Sequence, residues 1–402
     1  MRLEWYSYPM TISLEQFRQE TRSWLEENCP AGARGPGMTP LGSSKVELDA
    51  DTRLWLKRMA EKGWTVPTWP KAYGGAELER PQYEVLIEEL KRINARTPLT
   101  GRGVNYIGPT ILEFGTDEQK ARWLPPIARG EGAWAMGYSE PGAGSDLASL
   151  ATKAVKDGDH YIINGRKTWT SDALICDYIF VLVRTSAHKS KHDGISLVLV
   201  DMNQEGVKVS PIRLISGASP FCETLFEDAV IGLNDVIGGV DNGWTVGKRL
   251  LQFERSTHAG INISGSQGGR QEDSKMPAMV KEFVTMQDNK IADLGIRKDL
   301  VTYEMNSHAQ RITQRRAIAE LSSRAPGFAS SAVKLTNALN IQAGDELLIK
   351  AMGNAGMGWD AESNSAQGKT RDFLYNKSLT IAGGTKEVQL NIIAKQALGL
   401  PD

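Results

Sequence analysis

The stretch GYSEPGAGSDLASL at 137–150 gathers three glycines, two acids and three serines. Backbone N–H groups and short hydroxyls at such density suit an anionic or strongly polar ligand. Phosphate cradling is the first chemistry it suggests, since Gly142-x-Gly144-x-x-Leu147 stops one residue short of the dinucleotide fingerprint. That fingerprint works only between a strand and the N-terminus of a helix, inside a parallel βαβ unit. The residues that follow, TKAVKDGDHYIINGRKTWT (152–170), alternate like hairpin strands, and the third glycine position is Leu147. The stretch is therefore read as a turn-rich connection that presents N–H groups and the Ser139 and Ser145 hydroxyls at the mouth of a β-domain.

Other reactive side chains narrow the chemistry. Cys29, Cys176 and Cys222 are far apart and lack any CxxC or Cys/His spacing, and the five histidines form no HExxH. Reduced, mostly buried thiols and no structural metal are expected. Lys and Arg total 47 against 48 Asp and Glu, a net charge of -1 over 402 residues. That balance leaves no electrostatic footprint for nucleic acid or an acidic membrane. No apolar run is long enough for a membrane span, and MRLEWYSYPM carries an acid where a leader would be apolar. A cytoplasmic protein is expected.

Three kinds of element must position these groups. Residues 13 to about 130 read as helical. Ser13 with Gln16 forms a capping box ahead of Leu14, Phe17, Trp24 and Leu25. DTRLWLKRMAEKG (51–63) puts Leu54, Leu56, Met59 and Ala60 on one face and stops at Gly63. TVPTWPKAYGG (65–75) must be irregular, PQYEVLIEELKRINA resumes the helical period, and GTDEQKARWLPPI starts at Thr116 and closes at Pro125-Pro126. Near 131 the period changes. Asp157-Gly158 and Asn164-Gly165 are hairpin signals, and YIFVLVR (178–184), GISLVLVDM (194–202) and VKVSPIR (207–213) read as strands of an antiparallel sheet or barrel. From NGWTVGKRLLQFERSTHAGINI to the end the helical period returns, apart from the polar SGSQGGRQEDSKMP (264–277).

GYSEPGAGSDLASL, then INGRKTWTS, then GGTKEVQLNIIAKQALGLP resemble the acyl-CoA dehydrogenases. GWTVPTWPKAYGG, GPTILEFGTDEQKARWLPPI and NGWTVGKRLLQFER extend the resemblance over nearly the whole chain; about 260–345 fits least. The resemblance implies an α+β multidomain fold: an N-terminal α-helical domain (1–130), a central antiparallel β-barrel domain (131–240) and a C-terminal α-helical bundle (241–402). It further implies FAD and removal of two hydrogens from an acyl-CoA thioester, giving the trans-2-enoyl-CoA. A carboxylate takes the C2 proton and flavin N5 the C3 hydride. Such chemistry needs a dry base, donors to the thioester carbonyl, and a flavin on the opposite side of the Cα–Cβ bond.

Residue by residue, the resemblance places Met136 and Ser139 at the isoalloxazine and Ser145 at the CoA moiety. Trp169 would pack on the flavin and Ser171 would lie near N5. Apart from the family, the serines are ordinary turn residues and Trp169 a half-buried strand aromatic. Many members carry the base directly before the C-terminal Gly-Thr, where this chain has Gly383. Other branches carry it on a C-terminal-domain helix, at the position of Glu254 in LLQFERSTHAG. The glutamate absent at 383 thus appears at 254; its bland alternative is an exposed helical Glu paired with a neighbouring cation. Arg255 falls near the pantetheine, and Thr385 and Glu387 near the ribityl or adenosine part of FAD. The Gly384 N–H, with a ribityl hydroxyl, would donate to the thioester carbonyl.

The RxxFG segment expected to reach a neighbouring subunit's FAD is missing, and IKAMGNAGMG (349–358) lacks the usual glutamine. Either a homotetramer binds FAD through other residues, such as Arg270 or Arg297, or the chain works in an α2β2 hetero-tetramer. Some branches built that way oxidise bulky acyl-CoAs, including steroid side chains. The expected electron acceptor is an electron-transfer flavoprotein. An acyl-CoA oxidase and a non-catalytic subunit of a hetero-oligomer are the alternatives.

Overall fold

The computed structural model describes residues 13–187, 190–258, 275–322, 329–358 and 365–401. They divide into two compact units, the first ending at Trp134 and the second starting at Ala135. The sheet and the later helices belong to the second.

The first unit holds α1 (Leu14–Asn28), α2 (Ala50–Glu61), α3 (Arg80–Arg92), α4 (Gly108–Phe114) and α5 (Asp117–Arg129). The Ser13 hydroxyl accepts the Gln16 N–H at 3.1 Å and starts α1. On α2 the buried face is Thr52, Trp55, Leu56 and Met59, whereas Leu54 is exposed. Spacings of three, four and seven from Thr52 define that stripe, and Leu54 falls outside it. Leu25, Trp55, Met59, Trp64, Tyr83 and Leu86 make the core, each aliphatic side chain contributing roughly 1.5–3 kcal/mol. The 65–75 segment is irregular apart from one short turn of 3₁₀ helix at Lys71–Tyr73. Pro125 and Pro126 do not end α5, which runs to Arg129 and is capped by left-handed Gly130. Both prolines sit in the last turn and a half, where buried Leu124, Ile127 and Ala128 hold the helix on the core.

The second unit opens within β1 (Trp134–Gly137), at Ala135, and continues with β2 (Lys153–Asp157), β3 (His160–Ser171), β4 (Tyr178–Arg184), β5 (Ile195–Asp201), β6 (Val207–Ile212), β7 (Phe221–Gly232) and β8 (Val236–Ile237). They form one sheet in the order β6-β7-β3-β2-β4-β5-β8, with β1 beside β4. Pairs β2–β3, β3–β7, β6–β7, β4–β5 and β5–β8 are antiparallel, and β2 meets β4 in parallel through Lys153 and Arg184. The sheet curls far enough that β5 and β7, far apart in the ladder, pack together. Gly158-Asp159 makes the β2–β3 turn, and Asp157 of the expected pair is the last ladder residue, opposite His160. Asn164-Gly165 does not turn the chain: it is a bulge within the twelve residues of β3. The Asn164 side chain exchanges two hydrogen bonds with Asp228 on β7, 2.8 and 3.0 Å, and a Cβ at 165 would stand 2.7 Å from the Thr152 Cα.

The helices resume with α6 (Gly243–His258), α7 (Met276–Lys281), a small hairpin of β9 (Met286–Gln287) and β10 (Lys290–Ile291), then α8 (Leu294–Ser322), α9 (Ala329–Met352), α10 (Ser365–Asn376) and α11 (Lys386–Ile392). Most of the polar 264–277 segment, Arg270 included, lies outside the described residues, but Met276 and Pro277 open α7. The α6 helix packs on β4, β5 and α9, and α9 also packs on α8, α10 and α11. No described helix is long and apolar enough to cross a membrane.

Candidate active site

The Gly-rich connection is held by a buried ion pair that the sequence reading passed over. Lys167, fully buried on β3, donates to Glu140 Oε1 at 2.7 Å and to the Tyr138 carbonyl at 3.1 Å. Glu140 also accepts the N–H groups of Ala151 and Thr152 at 2.7 and 3.0 Å. One carboxylate thus ties both ends of the loop to the strand that continues the site. Burial opposes the charge on Glu140, but Lys167 and the hydrogen bonds outweigh it and hold the carboxyl below the usual range. Burial draws the Lys167 ammonium down to about 8, with Glu140 opposing the fall. Between these anchors Ser145 stands exposed, and a Cβ at Gly142 or Gly144 would meet nothing.

Ser139 and Trp169 come together. The Ser139 carbonyl accepts the Thr168 N–H at 2.9 Å, so the chain leaving β1 runs beside the end of β3. The ladder slips between Lys167 and Thr170, and Trp169 takes a φ of 61° there. A bulky residue in left-handed conformation is strained. The bulge turns the indole out, 54% exposed, with its edge on Phe221 at 6.0 Å, and Phe221 stacks on Tyr375 of α10. Met136, Ser139 and Ser171 are half-buried in the same region. An exposed aromatic face, a half-buried hydroxyl and an uncovered glycine loop fit a flat, polar-edged ring carrying phosphates.

Glu254 lies on α6, 5% exposed, in the helix that covers β4 and β5. Val246, Leu250 and Phe253 bury the face that seats α6. The fully buried Tyr138 phenol lies against the same helix, its oxygen 3.4 Å from where a Cβ at Gly247 would be. Burial, and then the charge of Glu254, push that phenol well above its ordinary pKa. The Arg255 side chain lies outside the described residues.

At the chain's end Gly383 and Gly384 both have positive φ, and no carboxylate stands at 383. The Thr385 hydroxyl accepts the Val388 N–H at 3.2 Å and caps α11, while Glu387 is exposed in its first turn. The α9 helix packs on both α6 and α11, so one helix positions the elements that carry Glu254 and Gly384. Arg297, on α8, donates to the Ile291 carbonyl. Cys29, Cys176 and Cys222 are buried.

Family models agree with this arrangement. The acyl-CoA dehydrogenase N-terminal domain matches residues 11–131, the middle domain 135–229 and the C-terminal domain 241–398. The three matches define the class as the three-domain acyl-CoA dehydrogenase scaffold, whose family implies a flavin cofactor. The chain belongs to the acyl-CoA dehydrogenase family: it is an oxidoreductase acting on CH–CH groups. It is similar to acyl-CoA dehydrogenase IpdE1 of Mycobacterium tuberculosis, 35% identical, covering 96% of this chain and 98% of that protein. Acyl-CoA dehydrogenase FadE34 of the same organism is 35% identical over 85% of this chain and 45% of its own length. Among solved structures, the Tcur3481-Tcur3483 steroid ACAD superposes with a TM-score of 0.73 at 29% identity, covering 96% of this chain and 97% of that one. The ChsE4-ChsE5 complex of Mycobacterium tuberculosis gives 0.72 at 28% identity, covering 99% and 100%.

Proposed function

We propose that this chain dehydrogenates an acyl-CoA thioester across C2–C3 to the trans-2-enoyl-CoA, with Glu254 as the base and FAD as the cofactor. One observation carries the reading. The position before Gly384-Thr385 is a glycine, and the carboxylate that can replace the missing base, Glu254, is buried on a helix packed against the sheet. A helical Glu serving only solubility would be exposed. FAD would supply the acceptor for the hydride leaving C3. Met136, Ser139, Trp169 and Ser171 would hold its ring, and Thr385 and Glu387 its ribityl or adenosine side. Glu254 removes the C2 proton, the Gly384 N–H steadies the carbonyl oxygen, and Ser145 with Arg255 engages the CoA tail.

The substrate in this proposal is a bulky acyl-CoA of the steroid-side-chain class, and the working assembly pairs this chain with a second, different chain. The Tcur3481-Tcur3483 steroid ACAD supports both points, and the ChsE4-ChsE5 complex supports the pairing of two chains. The glutamine missing from 349–358 agrees with a shared flavin site.

Glu254→Gln tests the base. The variant is expected to keep its flavin and bind acyl-CoA while losing nearly all turnover. Comparable activity in the variant refutes the assignment. Titration of the purified protein, with any chain that co-purifies, against acyl-CoAs of rising bulk tests the substrate class by flavin bleaching. Peroxide release during turnover would favour oxygen over an electron-transfer flavoprotein as acceptor.

A further inference from the structure

The α8 helix is apolar on two opposite faces. Inward, Ile296 and Leu300 pack with Leu347 and Leu348 of α9, and Gln310 donates to the Val333 carbonyl at 3.1 Å. Outward, Leu294, Val301, Met305 and Ile312 are between 53% and 71% exposed. These four recur at intervals of seven, four and seven residues. At 100° per residue they fall within an arc of about 40° and run for about 27 Å along the helix. A ridge so long and narrow has the form of a coiled-coil seam, not of the broad stripe that seats a helix on a core. It also differs from a membrane-surface helix, which presents a wide apolar face carrying aromatic residues.

The remaining positions of the seam are Lys298, His308 and Arg315, all exposed. The described acids of α8 lie elsewhere: Asp299 bonds Lys350 at 2.7 Å, and Glu304 is half-buried beside the seam. This composition opposes pairing with a second copy of the chain. An antiparallel pair that matches all four apolar residues, Leu294 with Ile312 and Val301 with Met305, sets Lys298 against the His308 of a second copy. Shifted by one heptad, the pair sets Lys298 against Arg315. A parallel pair sets each cation against its twin. Like charges brought together in a docked seam disfavour the pairing, whereas carboxylates there would favour it.

We propose that the outward face of α8 docks an amphipathic helix of a second, different chain, one whose apolar seam is flanked by carboxylates. The proposal rests on the reading that the working assembly pairs two different chains, and it assigns the face and the chemistry of their contact. The apolar ridge supplies the burial, and carboxylates opposite Lys298 and Arg315 set the register and exclude a second copy.

The test uses the full-length chain, purified alone, and two labelled synthetic peptides. Both peptides are helical, with leucine along the seam; one carries glutamate on both flanks and the other lysine. Fluorescence anisotropy reports binding. The glutamate peptide is expected to bind roughly tenfold more tightly than the lysine peptide, and to weaken as salt rises. Met305→Glu should abolish that binding without lowering the melting temperature. Lys298→Glu combined with Arg315→Glu should reverse the preference towards the lysine peptide, which a general loss of structure cannot do. Equal binding of the two peptides to wild type, or binding of neither, overturns the proposal. Self-association of the chain that Met305→Glu removes also overturns it, because a second copy would then occupy the face. Co-sedimentation with phosphatidylcholine–phosphatidylglycerol vesicles that Met305→Glu removes overturns it in favour of a lipid surface. Full flavin content and turnover of the chain alone overturn the two-chain reading instead, and the peptides decide the α8 face in either case.

Discussion

Lys167 Nζ lies 2.7 Å from Glu140 Oε1, with the lysine side chain 0% and the glutamate 8% exposed. The pair joins the first turn of the Gly-rich loop to the strand that carries Trp169 near its end. Each charge justifies burying the other, and the Tyr138 carbonyl and two backbone N–H groups complete their shells.

Lys167→Met should therefore destabilise the protein by about 3–5 kcal/mol, because the Glu140 charge would stay buried without its cation. Adding Glu140→Gln to that variant should recover part of the loss, since the stranded charge is then removed. Denaturant unfolding of the wild type, both single variants and the double variant gives the coupling. Additive losses would show that the two side chains act independently.

Glu89 sets the acid limit of the helical first unit. Its carboxylate, 2% exposed, accepts from Arg22 at 2.9 and 3.0 Å, from Arg92 at 2.7 Å and from Arg18 at 3.3 Å. The Arg22 hydrogen bonds lead in pulling its pKa from 4.5 to about 2; burial opposes them, and the other two arginines assist. The folded value lies below the unfolded one, so the stabilisation is present above pH 4.5 and fades as pH falls towards 2. Discounted for the half-exposed arginines, it amounts to roughly 2–3 kcal/mol. Glu89→Gln should flatten stability between those pH values and lower it at neutral pH by a similar amount. Melting curves recorded from pH 2 to 7 check this, and a wild-type curve as flat as the variant's would refute it.

Much of the fold was readable because period and punctuation agree locally. The strands at 178–184, 194–202 and 207–213 appear where β-branched runs predict them, and Ser13 and Thr116 cap the helices they precede. The misses have tertiary causes. Asn164-Gly165 has hairpin chemistry, yet Asp228 on a strand 64 residues away takes up the Asn side chain and keeps β3 continuous. That partner strand, β7, mixes acids with apolar residues and stood out in no window. The site divides the same way. Glu254 and Trp169 entered as candidates through the resemblance, but Lys167 looks like an ordinary polar residue until its burial is known. The one available signal was Lys167 itself, a cation on the inward phase of β3 set by Tyr161 and Ile163.

Gly243 controls where the Glu254 helix begins. A Cβ there would stand 2.3 Å from the Ser196 carbonyl carbon and 2.5 Å from the Leu197 nitrogen, both backbone atoms of β5. Neither can yield as a flexible side chain would, so Gly243→Ala must shift the first turn of α6 off the sheet. A loss of about 2–3 kcal/mol is expected. Turnover should fall further than stability alone explains, because Glu254 travels with the helix. Unfolding midpoints and kcat measured on the same preparation check both parts, and unchanged kcat in a destabilised variant would detach the helix start from the chemistry.

Tyr138→Phe should make the protein more stable. The phenol is buried, with its ring edge-on to Phe180 at 6.2 Å. Its hydroxyl has no hydrogen-bond partner among the described residues. Removing a buried hydroxyl that makes no bond recovers its desolvation cost, about 1 kcal/mol at the low end of the usual range, and phenylalanine keeps the ring packing. Burial and the Glu254 charge hold the phenol protonated well past its ordinary range, so the gain should not vary between pH 6 and about 9. For a chain of this size it corresponds to a rise of about 2 °C in the melting temperature. A fall instead would assign the hydroxyl a bound partner, such as an enclosed water, and repeating the melts with saturating acetyl-CoA would show whether that partner is the thioester ligand.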